Sequence, residues 1–156
     1  MQIRQYVYFA VRTDGLAPDE ITARVGIQPD KIAVRGSRGA HPLRPRTNHW
    51  QIVCDEKGLT VDEQIGRVVR RLISRAEAIG ALVDELDDPT GDRVVTVLQV
   101  VRDFDSDDGE EDQPTPPGFG FTKLGGQHHL LGWHLDAEVL DFLQRTRATL
   151  SVDEYG

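Results

Sequence analysis

Between Val61 and Leu86 the chain repeats Ile65, Val68, Leu72, Ala76, Ile79, Leu82 and Leu86 at steps of three and four, which draws one apolar stripe along a helix. Thr60 and Glu63 precede it at the spacing of a capping box, in which each side chain satisfies a free backbone N–H. Pro89, Thr90 and Gly91 end it. Arg67, Arg70, Arg71 and Arg75 lie mostly off the stripe. A stripe of this length has to be buried against something, and the flanking segments read as strands.

In the stretch Tyr6 to Arg12, Val7, Phe9 and Val11 share one face while Tyr6, Tyr8 and Arg12 share the other. Asp14-Gly15 turns the chain, and Pro18, Asp19 and Glu20 suit the first turn of a short helix that carries Ile21 and Val25 and stops at Gly26. Ile27 to Asn48 shows no period and holds several prolines and glycines, so it reads as a long loop. Trp50, Ile52 and Cys54 then fall on one strand face. From Arg93 to Phe104 both faces are apolar, which predicts a central strand. His128 to Leu135 reads as another strand, Asp136 as the cap of a last helix, and Ser151 to Tyr155 as a closing edge strand.

The order β-α-β-α-β-β-α-β predicts an α+β fold. The expected form is a two-layer sandwich, a mainly antiparallel sheet with helices on one face, and a ferredoxin-like arrangement is the first expectation. At 156 residues the chain reads as a single domain, 1–156, with a basic loop at 31–48 and an acidic, Pro/Gly-rich insert at 105–120. A content of 38% apolar and 28% charged residues is that of a soluble globular protein. No stretch approaches the roughly 20 apolar residues that span a bilayer. Cys54 is the only cysteine, which excludes a disulfide scaffold. No charged-then-apolar leader is evident, so a cytoplasmic location is expected. With 18 basic and 26 acidic side chains the net charge is −8, which argues against nucleic acid as a partner.

Two regions are candidates for function. The basic loop holds Lys31, Arg35, Arg38, Arg44 and Arg46 with His41 and no acid before residue 46. Arginine forks suit phosphate or carboxylate, Gly36 and Gly39 could expose backbone N–H groups, and Trp50 could add a stacking surface. The plainer alternative is a solvated loop, or one paired with the acidic insert. The second region is the sheet face away from the helices, assigned Tyr6, Tyr8, His128 and His134. Amphipathic aromatics favour interfaces, so dimerisation through this face is expected, against the alternative of a solvated, half-polar sheet.

Other signals fail on spacing. Asp103, Asp105 and Asp107 resemble the start of a calcium loop, but the sixth position is Asp108 rather than glycine and the twelfth is Pro114 rather than Glu. The crowded acids then read as a solvated tether. His128 and His134 would stand about 20 Å apart on a strand, so no metal site is expected. Cys54 reads as a small buried hydrophobe. Without a nucleophile elbow, a zinc motif or a phosphate loop, no catalytic residue and no cofactor is assigned.

A tyrosine-rich first strand followed by Leu16-Ala17-Pro18-Asp19-Glu20-Ile21-Thr22 and Val25-Gly26-Ile27-Gln28-Pro29-Asp30 resembles the opening of the bacterial domain-of-unknown-function family DUF4279. A basic, Gly-containing stretch before Trp50 and an ending from Leu135-Asp136-Ala137-Glu138-Val139-Leu140 to Ser151-Val152-Asp153-Glu154-Tyr155 resemble it too, so the likeness would cover nearly the whole chain. The resemblance implies a small stand-alone bacterial domain and supplies no catalytic residue. Ala17 departs from the Ser or Thr expected as helix cap, and the acidic insert looks particular to this sequence.

The function these readings predict is a non-enzymatic binding domain, homodimeric, recognising a protein partner (of immunity type in one version) or an anionic small molecule. The alternative is an enzyme acting on a phosphorylated or carboxylated small molecule, its loop arginines holding the anion and a histidine serving as acid or base. A pocket joining His41 or His49 to the arginines would favour that alternative.

Overall fold

The computed structural model describes residues 2–38, 44–86, 91–105 and 132–156. In chain order the elements are β1 (Gln2–Thr13), α1 (Pro18–Val25), β2 (Lys31–Ala33), β3 (Asn48–Cys54), α2 (Val61–Leu72), α3 (Ala76–Leu86), β4 (Val94–Asp105), α4 (Ala137–Arg145) and β5 (Thr149–Tyr155). The fold is α+β, with five strands in the order β2-β3-β1-β4-β5. β1 pairs antiparallel with both β3 and β4, β2 pairs antiparallel with β3, and β5 alone runs parallel to its neighbour β4. It follows that β1 and β2 point the same way with β3 between them, and β3 and β4 point the same way with β1 between them. These are two interleaved split βαβ units. α4 and β5 extend that unit along the β4 edge.

The alternation in β1 decides where the core lies. Val7, Phe9 and Val11 are fully buried, beside Trp50 and Ile52 on β3 and Leu98 and Val100 on β4. Helix residues Ile21, Ile65, Val68, Leu72, Ile79 and Phe142 close over this one face. The Phe9 and Phe142 rings meet edge-on at 5.4 Å, which ties α4 to the central strand.

The caps form where the sequence places them. Thr60 Oγ1 accepts from the Glu63 N–H, and the Thr60 N–H donates to Glu63 Oε2. Asp136 Oδ1 accepts from the Val139 N–H at 2.8 Å. α1 starts at Pro18 although Ala17 offers no side-chain oxygen, because Glu20 reaches back to the Ala17 N–H at 3.1 Å. Past α4, Arg147 takes the left-handed φ of 58° that usually calls for glycine. Its guanidinium grips Asp84 through Nε and Nη2, at 3.1 and 2.9 Å, which anchors the turn into β5.

Three details depart from the sequence reading. The stretch from Ile27 to Asn48 contains the short strand β2, which three largely exposed residues could not announce. The helix expected from Val61 to Leu86 tightens into a 3₁₀ turn at Ile73–Arg75 between α2 and α3. Of the strand expected from His128 to Leu135, residues 128–131 lie outside the described residues and 132–135 pair with no strand. Instead Trp133 and Leu135 pack against the core on the helix side. The insert from 106 to 120 also lies outside the described residues.

Gly80 marks the closest approach in the helix layer: a Cβ there would overlap the Arg145 backbone carbonyl oxygen of α4. Gly80→Ala adds helix propensity to α3, yet both partners are backbone or rigidly attached to it and cannot swing away. The expected outcome is a net loss of about 1–3 kcal/mol, the usual range for an overpacked interior. A lower urea midpoint at unchanged slope checks it.

Candidate functional site

The basic loop is the outer end of the β2–β3 hairpin. The Gly36 N–H donates to the Pro45 carbonyl at 2.9 Å, and the Arg35 N–H donates to Asn48 Oδ1 at 2.8 Å. Asn48 passes the connection on, its Nδ2 donating to the Leu16 carbonyl at 3.0 Å. Arg35 Nη1 donates to the Asp14 carbonyl at 3.0 Å, so this arginine pins the hairpin to the end of β1. Arg38, Arg44 and Arg46 are exposed and make no ion pair with a described residue. His41 and Gly39 lie outside the described residues.

Trp50 cannot serve as the stacking surface the sequence suggested. It is fully buried on the helix-covered face, and its indole N–H donates to Thr22 Oγ1 at 3.0 Å. The alternation of β3 requires this, since Trp50 lies in register with Val11 on the core side.

On the opposite face Tyr6 and Tyr8 stack, with centroids 6.2 Å apart and planes 17° apart. Tyr155 and Asp153 lie close enough to Tyr6 to help burial and Tyr8 hold its phenol above the ordinary value of 10.0. Tyr6 is 38% exposed, Val95 37% and Tyr155 57%, on a face to which no described helix contributes core residues. His128 lies outside the described residues. His134 is not on this face, because its backbone N–H donates to Asp62 Oδ1 at 2.7 Å, at the start of α2.

The residue that does join the tyrosines is Arg12. Its Nη2 donates to the Tyr8 hydroxyl at 3.2 Å, and Ala10, which lies between them on the strand, is fully buried. A larger residue at position 10 would stand between the two long side chains. His49 stands opposite Arg12 in the β1–β3 register, with Nε2 at 2.8 Å from Thr47 Oγ1. Burial first, and the Arg12 charge second, hold its imidazole below the ordinary 6.5. In the sequence His49 stands out only as a neighbour of the loop arginines. Its meeting with Arg12 depends on strand register, which no local spacing encodes.

Two cavities bordered by described residues contain no histidine. A groove of about 440 Å³ lies between the end of β3 and α2, bordered by Cys54, Arg67, Arg70 and Arg71. Arg71 is already engaged, its guanidinium holding both oxygens of Asp30 at 2.6 and 2.9 Å. That hydrogen-bonded pair holds the Asp30 carboxyl below its ordinary value, and Asp30 Oδ2 also accepts from the Val53 N–H at 2.7 Å. The other cavity, about 470 Å³, is bordered by Val95, Thr96 and the Asp84–Arg147 pair. No described residues cluster as three or more potential metal ligands. No helix among the described residues is long and apolar enough to cross a membrane.

Two pH effects follow. His49 titrates below its unfolded value, so the unfolded chain takes up the proton first and the stability tied to neutral His49 is lost as pH falls below 6.5. His49→Gln should flatten the fall in melting temperature over that interval. Asp30 is likewise depressed, so its contribution is complete above the ordinary carboxylate range and is lost as pH falls through its folded value. Asp30→Asn should lower stability at neutral pH, with the gap to wild type closing in acid. Chemical denaturation across pH checks both.

Neither a curated protein nor a solved structure matches the chain. Residues 1–116 match a family described as a domain of unknown function. The match takes in β1 to β4 and α1 to α3 and stops short of α4 and β5, whereas the sequence reading carried the resemblance to the last strand. With well over half of its length matched, the chain belongs to the DUF4279 family.

Proposed function

We propose that the protein is a non-enzymatic binding domain that acts as a homodimer through the face of its sheet opposite the described helices. The observation that carries this reading is the Tyr6–Tyr8 stack beside Tyr155, an aromatic surface on the face opposite the helices. The distribution of charge supports a second copy as the occupant. Lys31 on the edge strand β2 marks one corner of the face, with Arg12 toward the same end of β1, and Asp153 on β5 marks the diagonally opposite one, where Asp103 already faces Arg4 across the β1–β4 pair. A two-fold axis lying in the interface across that diagonal sets each basic corner against the acidic corner of the other copy.

The exposed Arg38, Arg44 and Arg46 on the hairpin give the dimer a second contact region, suited to an acidic protein surface or a small anion. The cytoplasm is the location that fits a buried free thiol at Cys54. The enzymatic alternative needs a histidine and an arginine facing a common substrate, and His49 with Arg12 is the described pair closest to that requirement.

Sedimentation velocity over a range of protein concentrations tests the dimer. Wild type is expected to pass from monomer to dimer. Tyr6→Asp should weaken association about 30-fold, the equivalent of losing a hot spot of about 2 kcal/mol. Its circular dichroism and melting should stay close to wild type, because the Tyr6 side chain lies outside the core. A wild-type chain that remains monomeric at every concentration overturns the reading.

A further inference from the structure

On the face away from the described helices, the Arg12 guanidinium makes one hydrogen bond to a described residue, from Nη2 to the Tyr8 hydroxyl. Its Nε is buried without a partner, and no described carboxylate pairs with it. A partly buried cation in this condition carries part of its desolvation cost uncompensated, a cost that an anionic partner arriving from outside would relieve. The groups around it are fixed. Tyr8 is held by its stack with Tyr6, and His49 is anchored at Nε2 by Thr47, which leaves Nδ1 without a described partner. Ala10 beneath them keeps the space between Tyr8 and Arg12 clear of a large side chain.

We propose that Arg12, with His49 and Tyr8 beside it, is a receptor for a carboxylate. The guanidinium fork matches the two oxygens of that group, and one permanent positive charge beside two neutral hydrogen-bonding groups balances one negative charge rather than two. A small free carboxylic acid can supply the group. So can an Asp or Glu side chain of a second copy, a source that rests on the dimer reading and for which the exposed Asp153 at the opposite corner is suited. Both sources present the same chemistry to the same fork. An occupied site cancels the Arg12 charge felt by His49, so the imidazole reports on occupancy directly.

Acetate titration of the full chain, followed by NMR of the His49 imidazole in dilute monomeric protein, is the test. The His49 signal is expected to move saturably and its titration midpoint to rise. Arg12→Gln should abolish both effects, and Arg12→Lys, which keeps the charge without the fork, should weaken binding about tenfold. Sedimentation of the same proteins separates the sources. Acetate that dissociates the dimer, or Arg12→Gln that prevents it, identifies a side chain of the second copy. Acetate that binds without changing the oligomeric state identifies a free acid. The proposal is overturned if His49 fails to respond to acetate and Arg12→Gln leaves association unchanged, or if wild type and Arg12→Gln respond alike. A chain that stays monomeric ends the dimer reading but leaves the acetate titration fully readable.

Discussion

Everything in this structure hangs on β1, twelve residues paired along their length with β4 and for seven of them with β3 as well. A strand that is hydrogen-bonded on both edges has only its two faces left to differ. The period of two hands Val7, Phe9 and Val11 to one face and Tyr6, Tyr8 and Arg12 to the other. The helices take the first set, so the core and the candidate site are two sides of one alternation. A one-residue slip of β1 would exchange them, placing an arginine and two tyrosines under α2.

Much of this was written locally. The stripe from Ile65 to Leu82 is buried as its spacing requires, and the caps at Thr60 and Asp136 engage the N–H groups that their positions favour. What stayed hidden has physical reasons. A single tightened turn at Ile73–Arg75 leaves the three-and-four spacing of the stripe intact, so the pattern fits either winding. The alternation in Trp133-His134-Leu135 signals extended chain with one side packed, and an unpaired segment lying on helices satisfies that as well as a strand does. β2 lacks any apolar signal strong enough to separate it from a loop, and it forms because β3 offers an edge.

The candidate site was half legible. Tyr6 and Tyr8 follow from the parity of β1. Parity carried through a strand from His128 to Leu135 puts His134 on their face, but residues 132–135 pair with no strand. Trp50 neighbours the basic loop in sequence, but its parity within β3 points it inward. Arg35 looked like one basic residue among five, but its main-chain and side-chain bonds to Asn48 and Asp14 make it part of the scaffold. Charge counted along a loop does not distinguish an arginine that holds the fold from one that is free to hold a ligand.

β2 shields only three residues of β3, and beyond them the Val53 N–H would be open to any extended chain that came alongside. The Asp30 carboxylate occupies that N–H, and Arg71 fixes the carboxylate in place. One side chain therefore takes the place of a strand partner at this N–H. It does so with a charged group that an incoming backbone would have to displace and leave unsatisfied. An extended chain approaching beside β2 would therefore meet a fixed ion pair before it reached the Val53 N–H.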